Sequence, residues 1–172
     1  MISGDSLLLY LHSSNTYEPI TLGLLVRKML GIYARKHKFS LRTQCVVAED
    51  RVYNNQIVRG HVYGELPVQR IVTERSRAIS ATHDHLFSTP DGYKRLAELS
   101  VGESVFVAPW PRKFGHLTPG VVRDESWHKW PTAPVPERIE HIIDVGFHNV
   151  FDLDMEFPFN NYAANEFVVS SG

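Results

Sequence analysis

Cysteine is nearly absent from this sequence of 172 residues. Cys45 stands alone, which excludes an internal disulfide framework and any cysteine-rich zinc knot. Long hydrophobic runs are missing too. The longest near the start, Leu7 to Leu11, is far too short to span a bilayer or to serve as a signal-peptide core. No membrane partner is therefore expected, and the cytoplasm is the expected location. Low-complexity tracts and convincing internal repeats are also lacking. Net charge is almost nil at -1, with 22% charged and 43% hydrophobic residues. That composition is ordinary for a soluble globular protein, and the length suits one domain, 1–172, with a real core.

The near-neutral total conceals a split. Residues 1–123 hold 16 Lys and Arg against 10 Asp and Glu, whereas residues 124–172 hold 2 against 9. Such clusters are either solvated faces or two complementary pieces, whose opposed fields speed encounter by roughly 10–1000-fold. Nucleic acid is not implied. The basic run Arg27, Lys28, Arg35, Lys36, Lys38 and Arg42 lacks a recognised nucleic-acid motif, and the chain as a whole is not basic.

The pattern is mostly that of strands. Ser6–Leu11 reads as a short apolar strand and Ser13-Ser14-Asn15 as a turn. Thr21 to Lys36 reads as a helix, with Leu22, Leu25, Met29, Ile32 and Tyr33 at three- and four-residue steps and Thr21 as cap; Gly23 and Gly31 weaken it. Strands follow at Cys45–Ala48, Arg51–Tyr53, Gln56–Tyr63 and Val68–Thr73, and Asn54-Asn55 signals a tight turn. After a turn at Glu74–Arg77 come strands Ala78–Thr82 and His85–Ser88, then the turn Pro90-Asp91-Gly92. Tyr93–Leu99 suggests one helical turn, and Glu103–Val107 a strand. Pro109 to Pro136, rich in proline and holding all three tryptophans, reads as an exposed linker, and such a long connection marks function or a break in the chain. Arg138–Val145, Val150–Leu153 and Glu166–Val169 complete the expected strands.

His83-Asp84-His85 invites a metal reading, because two His two residues apart on a strand face one way. No further ligand follows at a recognisable spacing, so no metal is expected. Ser3 and Ser6 read as turn and packing residues.

Three stretches carry a family resemblance. Met1-Ile2-Ser3-Gly4-Asp5-Ser6 opens the chain. Ser76 to Phe87 contains Thr82-x-x-His85 and continues into Asp91–Leu99. Gly146 to Asp154 is followed by Asn160-Asn161-Tyr162-Ala163-Ala164-Asn165. Together they resemble the opening, second and carboxyl-end blocks of bacterial and phage inteins, which are protein-splicing elements. The likeness covers both ends and the middle, while residues 13–72 match only in strand order. It implies an all-β, horseshoe-shaped Hedgehog/intein fold with one or two short helices. It also implies autocatalytic peptide-bond exchange with no cofactor and no ATP, and flanking extein segments as partners. Pro109–Pro136, the usual endonuclease-insertion or split site, is too short to hold an endonuclease domain; with the charge split it suggests a two-piece mini-intein whose partner is its complementary fragment.

The resemblance also assigns roles. Met1 occupies the place of the native Ser or Cys nucleophile, either as its replacement or as a start methionine on a trimmed chain. His85 falls where the family has a proton donor to the departing amine, a class of effect worth about 10²–10⁴ in rate. Thr82 falls on the oxyanion donor, and Asp152 on the carboxylate that aids transfer to the downstream nucleophile. Asn160 stands where the family has a His; His148, an even number of residues before Asp152 and so able to share its strand face, is a candidate substitute. Whether it serves as one is left open by the sequence. Without gaps, Ser170 takes the penultimate His place and Ser171 that of the cyclising Asn; with one extra residue, Gly172 precedes it. The junctions thus read as inactivated. Two rivals remain: a Hedgehog-like domain that cuts only its amino-terminal side, against which Asn161–Val169 speaks, and a β-rich binding module without chemistry, which predicts His85 and Asp152 far apart.

Overall fold

A computed structural model of the protein describes residues 1–12, 16–31, 41–47, 51–110 and 133–171. Its spine is an antiparallel ribbon of two long strands, β5 (Arg51–Thr73) and β10 (Val135–Met155). Ten shorter strands complete the described sheet: β1 (Ile2–Ser3), β2 (Leu7–His12), β3 (Thr16–Thr21), β4 (Arg42–Val47), β6 (Ala78–Ala81), β7 (Leu86–Thr89), β8 (Gly92–Arg95), β9 (Ser104–Val107), β11 (Asn161–Ala164) and β12 (Phe167–Ser170). They run in the order β3-β2-β4-β5-β6-β1-β10-β9-β12-β7-β8, with β11 on β12 and β5 closing onto β10. The fold is therefore all-β and antiparallel, with one α-helix among the described residues, α1 (Leu22–Leu30).

The helix begins where the sequence places it, with the Thr21 hydroxyl accepting from the Leu24 N–H. It stops at Gly31, and residues 32–36 of the expected helix lie outside the described residues, as do the expected turn 13–15, Gly172, and 111–132 of the expected linker. Pro136 at the end of that linker is already in β10. Four readings need correction. Arg51–Tyr53, Gln56–Tyr63 and Val68–Thr73 are not separate strands but parts of β5. Asn54 and Asn55 make no turn: they pair with Gln44 and Thr43 inside the β4–β5 ladder. Their amides are spent laterally instead, Asn54 Oδ1 accepting from Arg42 Nε at 2.6 Å and Asn55 Nδ2 donating to the Glu156 carbonyl at 2.7 Å. Tyr93–Leu99 forms β8 and then a single 3-10 turn, Leu96–Glu98. Arg138–Val145 and Val150–Leu153 belong to one strand, whose irregularity at Gly146, φ +82°, only a residue without a β-carbon takes easily.

The core gathers Ile2, Leu8, Leu22, Leu25, Ile71, Ile79, Phe87, Phe151 and Phe167, all nearly or fully buried. The opening segment is the part that positions the site. Ile2 pairs with Ala81 of β6 on one side and Phe151 of β10 on the other. The Gly4 N–H then donates to the Asn149 carbonyl at 3.0 Å, and the Gly4 carbonyl accepts from Gly23 N–H at 3.0 Å. Gly4 is tolerated there for want of a side chain, since a β-carbon would lie 2.5 Å from the Phe151 ring. The same closeness explains Gly23 inside α1, where a β-carbon would meet the Gly4 carbonyl at 3.2 Å. Arg27 lies 5.6 Å over the Phe151 ring and covers it.

Two further features bear on the site and on the joining of the two ends. Glu137, buried, accepts from Arg77 Nη1 and from the Thr73 hydroxyl, each at 2.5 Å, and Arg77 Nε also bonds Glu166. The β5–β10 ladder skips Tyr63: Val62 faces Phe151 and Gly64 faces Val150, with Gly64 at φ +79°. Tyr63 is thus the extra residue of a β-bulge.

Gly4→Ala is expected to cost about 1–3 kcal/mol, the usual scale for overpacking a filled core. Urea unfolding of the two proteins measures it, and an unchanged midpoint would show that Phe151 can move away freely.

Candidate active site

Residue 1 sits at the head of β1, so its surroundings are set by what β6 and β10 carry there. Beyond β6 the chain turns through Thr82-His83-Asp84-His85, closed by the His85 N–H donating to the Thr82 carbonyl at 3.1 Å. This turn points two groups at residue 1. The Thr82 N–H donates to the Met1 carbonyl at 2.9 Å, with the Thr82 hydroxyl 3.2 Å from the same oxygen. His85 Nδ1 contacts the Met1 nitrogen. Because that nitrogen donates, Nδ1 is the acceptor and the imidazole proton resides on Nε2. Nε2 is buried without a partner among the described residues, and the ring stands edge-on to Phe87 at 5.8 Å. A buried N–H left unpaired is costly, and such orphans concentrate at functional sites.

Electrostatics follow from burial. His85 is only 5% exposed, and burial, followed by the neighbouring amino group, pushes its pKa down to about 3; the Asp84 carboxylate opposes this. Burial also lowers the Met1 amino group, against the pull of Asp152 and Asp84. Asp84 accepts from the Thr82 hydroxyl at 2.7 Å, which holds its carboxyl below the ordinary range.

Asp152 on β10 forms the other wall. Its Oδ1 accepts from the Leu153 N–H at 2.9 Å and from the Tyr162 hydroxyl at 2.8 Å. Burial raises its pKa, while the amino group of residue 1 and the two donors work against that rise. Tyr162, fully buried, is displaced well above its ordinary range by burial and by Asp152. Sequence reasoning missed Tyr162. The available signal was a tyrosine inside an apolar strand, since a buried phenol has to find a polar partner.

These groups share one cleft of about 260 Å³. Met1, Tyr63, Asp84, His85, Asp152, Ser170 and Ser171 line it. The structure thus brings together Met1, Thr82, His85, Asp152, Ser170 and Ser171. Asn160 stays outside: it is exposed, and its carbonyl accepts from the Ser171 N–H at 2.9 Å. His148 does not take its place, because its Nδ1 lies 2.9 Å from the Ser3 hydroxyl. Asn165 has a structural part, accepting from the Leu7 N–H at 2.7 Å and donating to the Ala78 carbonyl at 2.9 Å. No group of three or more His, Cys, Asp or Glu gathers among the described residues in the manner of a metal site, and no described helix is long and apolar enough to cross a membrane.

No family model matches the chain. Two curated proteins match over short stretches. The chain is 36% identical over 82 residues to a replication factor C small subunit of Methanocaldococcus jannaschii, covering 48% of this chain and 4% of that protein. It is 40% identical over 53 residues to a replicative DNA helicase DnaB of Rhodothermus marinus, covering 31% and 6%. The chain therefore spans only a small fraction of these relatives. Solved structures match end to end. A mutant Ssp DnaB mini-intein has TM-score 0.72 and 25% identity, with 99% of this chain and 98% of that one covered. A DnaB intein from Synechocystis sp. PCC 6803 has TM-score 0.72 and 23% identity over 99% and 97%. The DnaX mini-intein from Spirulina platensis has TM-score 0.64 and 16% identity over 99% and 98%.

An antiparallel sheet of this order, wrapped so that its first residue meets its last strand, is the Hedgehog/intein fold. Within that class the chain has the fold of the mini-inteins, which it matches from end to end.

His85 also sets a pH response. Its folded pKa lies below the ordinary value of about 6.5, so the unfolded chain binds the proton more readily. Stability from this residue is complete above about pH 6.5 and is lost as pH falls towards 3, by at most about 1.4 kcal/mol per pH unit. Urea titrations of the protein and of His85→Leu between pH 7 and 4 are expected to diverge in that direction. Parallel curves would mean that the imidazole is hydrated in the folded state.

Proposed function

We propose that this chain is an intein built for full splicing and that the sequence as it stands is blocked at both junctions. The observation that carries the reading is the convergence of residue 1, His85, Asp152 and Ser170–Ser171 on one cleft. When residue 1 follows an upstream segment, its nitrogen is the amide nitrogen of the scissile bond. An imidazole against that nitrogen can take the attacking nucleophile's proton on Nδ1 and hand it to the amine as it leaves. A Ser or Cys side chain at residue 1 would take the upstream acyl group from nitrogen to oxygen or sulfur; the Met1 thioether cannot. Thr82 holds the carbonyl of residue 1 through its N–H, which fixes the reacting segment. Its hydroxyl, which donates to Asp84 at 2.7 Å, would turn to the upstream carbonyl to serve an oxyanion there. Asp152, made more basic by burial, suits transfer of the acyl group to a downstream Ser, Thr or Cys. Cyclisation of a terminal Asn then frees the element, and a last acyl shift restores the peptide bond. Ser171, at that Asn's place in the ungapped register, cannot close the ring; Ser170 and Asn160 replace imidazoles.

The convergence favours this reading over a binding module, in which nothing would draw His85 and Asp152 to one residue. The hairpin of β11 and β12, which delivers Ser170 and Ser171 to the cleft, favours it over cleavage at the amino-terminal side alone. Matches to 4% and 6% of two differently named replication proteins suit an inserted element.

Placed between two reporter domains, the unaltered chain is expected to give neither ligation nor cleavage. With Met1→Cys, dithiothreitol is expected to release the upstream reporter alone, and adding His85→Ala to slow that release by about 10²-fold or more. Thr82→Ala is expected to slow it less, because the backbone N–H of Thr82 still holds the carbonyl of residue 1. Ligated flanks from the unaltered chain, seen by mass spectrometry, or undiminished release from the His85→Ala protein, would overturn the assignment.

We also propose that residues 109–136 hold the natural break of a two-piece element. Support comes from the charge split and from ion pairs that join its two sides, Arg77 to Glu137 and Glu166, and Arg138 to Glu74. The two pieces, cut in that connection, are expected to associate more slowly as salt rises, since exposed charges are screened beyond about 8 Å at physiological ionic strength. A rate flat in salt would return the charge clusters to ordinary solvated faces.

A further inference from the structure

We infer that Tyr63 is the hydrogen-bond donor that serves the carboxyl-side reaction in this cleft, and that the His61–Asp154 pair holds its ring in place. The inference rests on the splicing reading above.

The polar groups of the cleft are mostly committed. His85 Nδ1 faces the nitrogen of residue 1, Asp152 already takes the Tyr162 hydroxyl and the Leu153 N–H, and Asp84 takes the Thr82 hydroxyl. At the carboxyl end, the Ser170 hydroxyl donates to the Ser171 carbonyl at 3.1 Å, and the Ser171 N–H is spent on Asn160. The phenol of Tyr63 lines the same cleft as Ser170 and Ser171 and is a further donor there.

Its place there is built into the fold. Tyr63 is the unpaired residue of the β5 bulge, next to Gly64 at φ +79°. Bulges recur beside active sites, where the added residue re-aims a side chain. This one stands opposite Val150 and Phe151, the same two residues that pair with Ser3 and Ile2 on the other edge of β10. Tyr63 and residue 1 therefore flank β10 at one level. The side chain is 46% exposed, so burial in the core does not account for it. Burial, Asp152 and Asp154 all raise its pKa, which keeps the phenol protonated and able to donate.

The neighbouring pair supplies the rigidity. His61 Nε2 lies 2.8 Å from Asp154 Oδ2, and the imidazole leans on the Tyr63 ring at 6.0 Å between centroids and 36° between planes. His61 and Tyr63 alternate on β5 as Asp152 and Asp154 do on β10, which gives the four side chains a shared face. His61 is a positioning residue, acting through Tyr63 and touching no reacting atom.

The test uses the Met1→Cys, Ser171→Asn protein between two reporters, with upstream release by dithiothreitol and downstream release by Asn cyclisation followed together. Tyr63→Phe keeps the ring and is expected to lower the ratio of downstream to upstream release by about ten-fold, the scale of one lost hydrogen bond. His61→Ala is expected to lower the same ratio in the parent and to add nothing in the Tyr63→Phe background. An unchanged ratio in Tyr63→Phe overturns the inference, and so does an equal loss of both releases. Additive His61→Ala and Tyr63→Phe effects overturn the positioning role. A parent that releases upstream but not downstream also overturns the inference. A parent that releases neither overturns the splicing reading itself.

Discussion

The insertion of a two-residue strand between β6 and β10 is the constraint on which the site depends. Pairing Ile2 with Ala81 and with Phe151 fixes residue 1 between the turn that carries Thr82 and His85 and the strand that carries Asp152. Two residues make a weak strand by themselves, because a ladder this short gains few hydrogen bonds against the entropy of ordering the chain. Its security comes from its neighbours: the fully buried Ile2 side chain, the Gly4 contacts to Asn149 and Gly23, and the Phe151 ring under Gly4. The Ile-Ser-Gly-Asp-Ser stretch is thus a docking device for residue 1 rather than a source of reacting groups.

Around that anchor the protein keeps an imidazole dry. Desolvation moves His85 far from the range in which it would exchange protons with water, yet Asp84 and the nitrogen of residue 1 lie within its electrostatic reach. A group poised this way is neutral near pH 7, and in the proposed reaction it would take a proton as negative charge gathers on a tetrahedral acyl intermediate. The orphaned Nε2 belongs to the same arrangement: folding tolerates an unpaired donor in order to keep the other nitrogen available.

Much of this was legible in the sequence because it is local. Thr82, His85 and Asp152 stand out through the resemblance of two short local stretches to intein blocks, each of which can be read without knowing its distant partners. The features that stayed hidden depend on partners distant in sequence. Asn54 and Asn55 read as a turn because their usual local hydrogen bonds favour one, whereas here Arg42 and the Glu156 carbonyl hold them in a ladder. Tyr63 was hidden for a related reason. A bulge is a mismatch between two strands 87 positions apart at Val150 and Tyr63, and neither strand shows it alone. The continuity of β10 through Gly146 was likewise invisible, since a glycine in a strand pattern reads as an interruption.

Asn165 has a consequence of its own. With φ +47°, it bonds Leu7 through its side-chain oxygen and through its main-chain N–H, and Ala78 through its side-chain nitrogen. It therefore staples the hairpin of β11 and β12 to β2 through Leu7 and to β6 through Ala78. The head and tail of the chain are gauged against each other over a few residues. The tail is thus tied to β2 and β6 directly, while the head is tied to the ribbon through the pairing of β1 with β10.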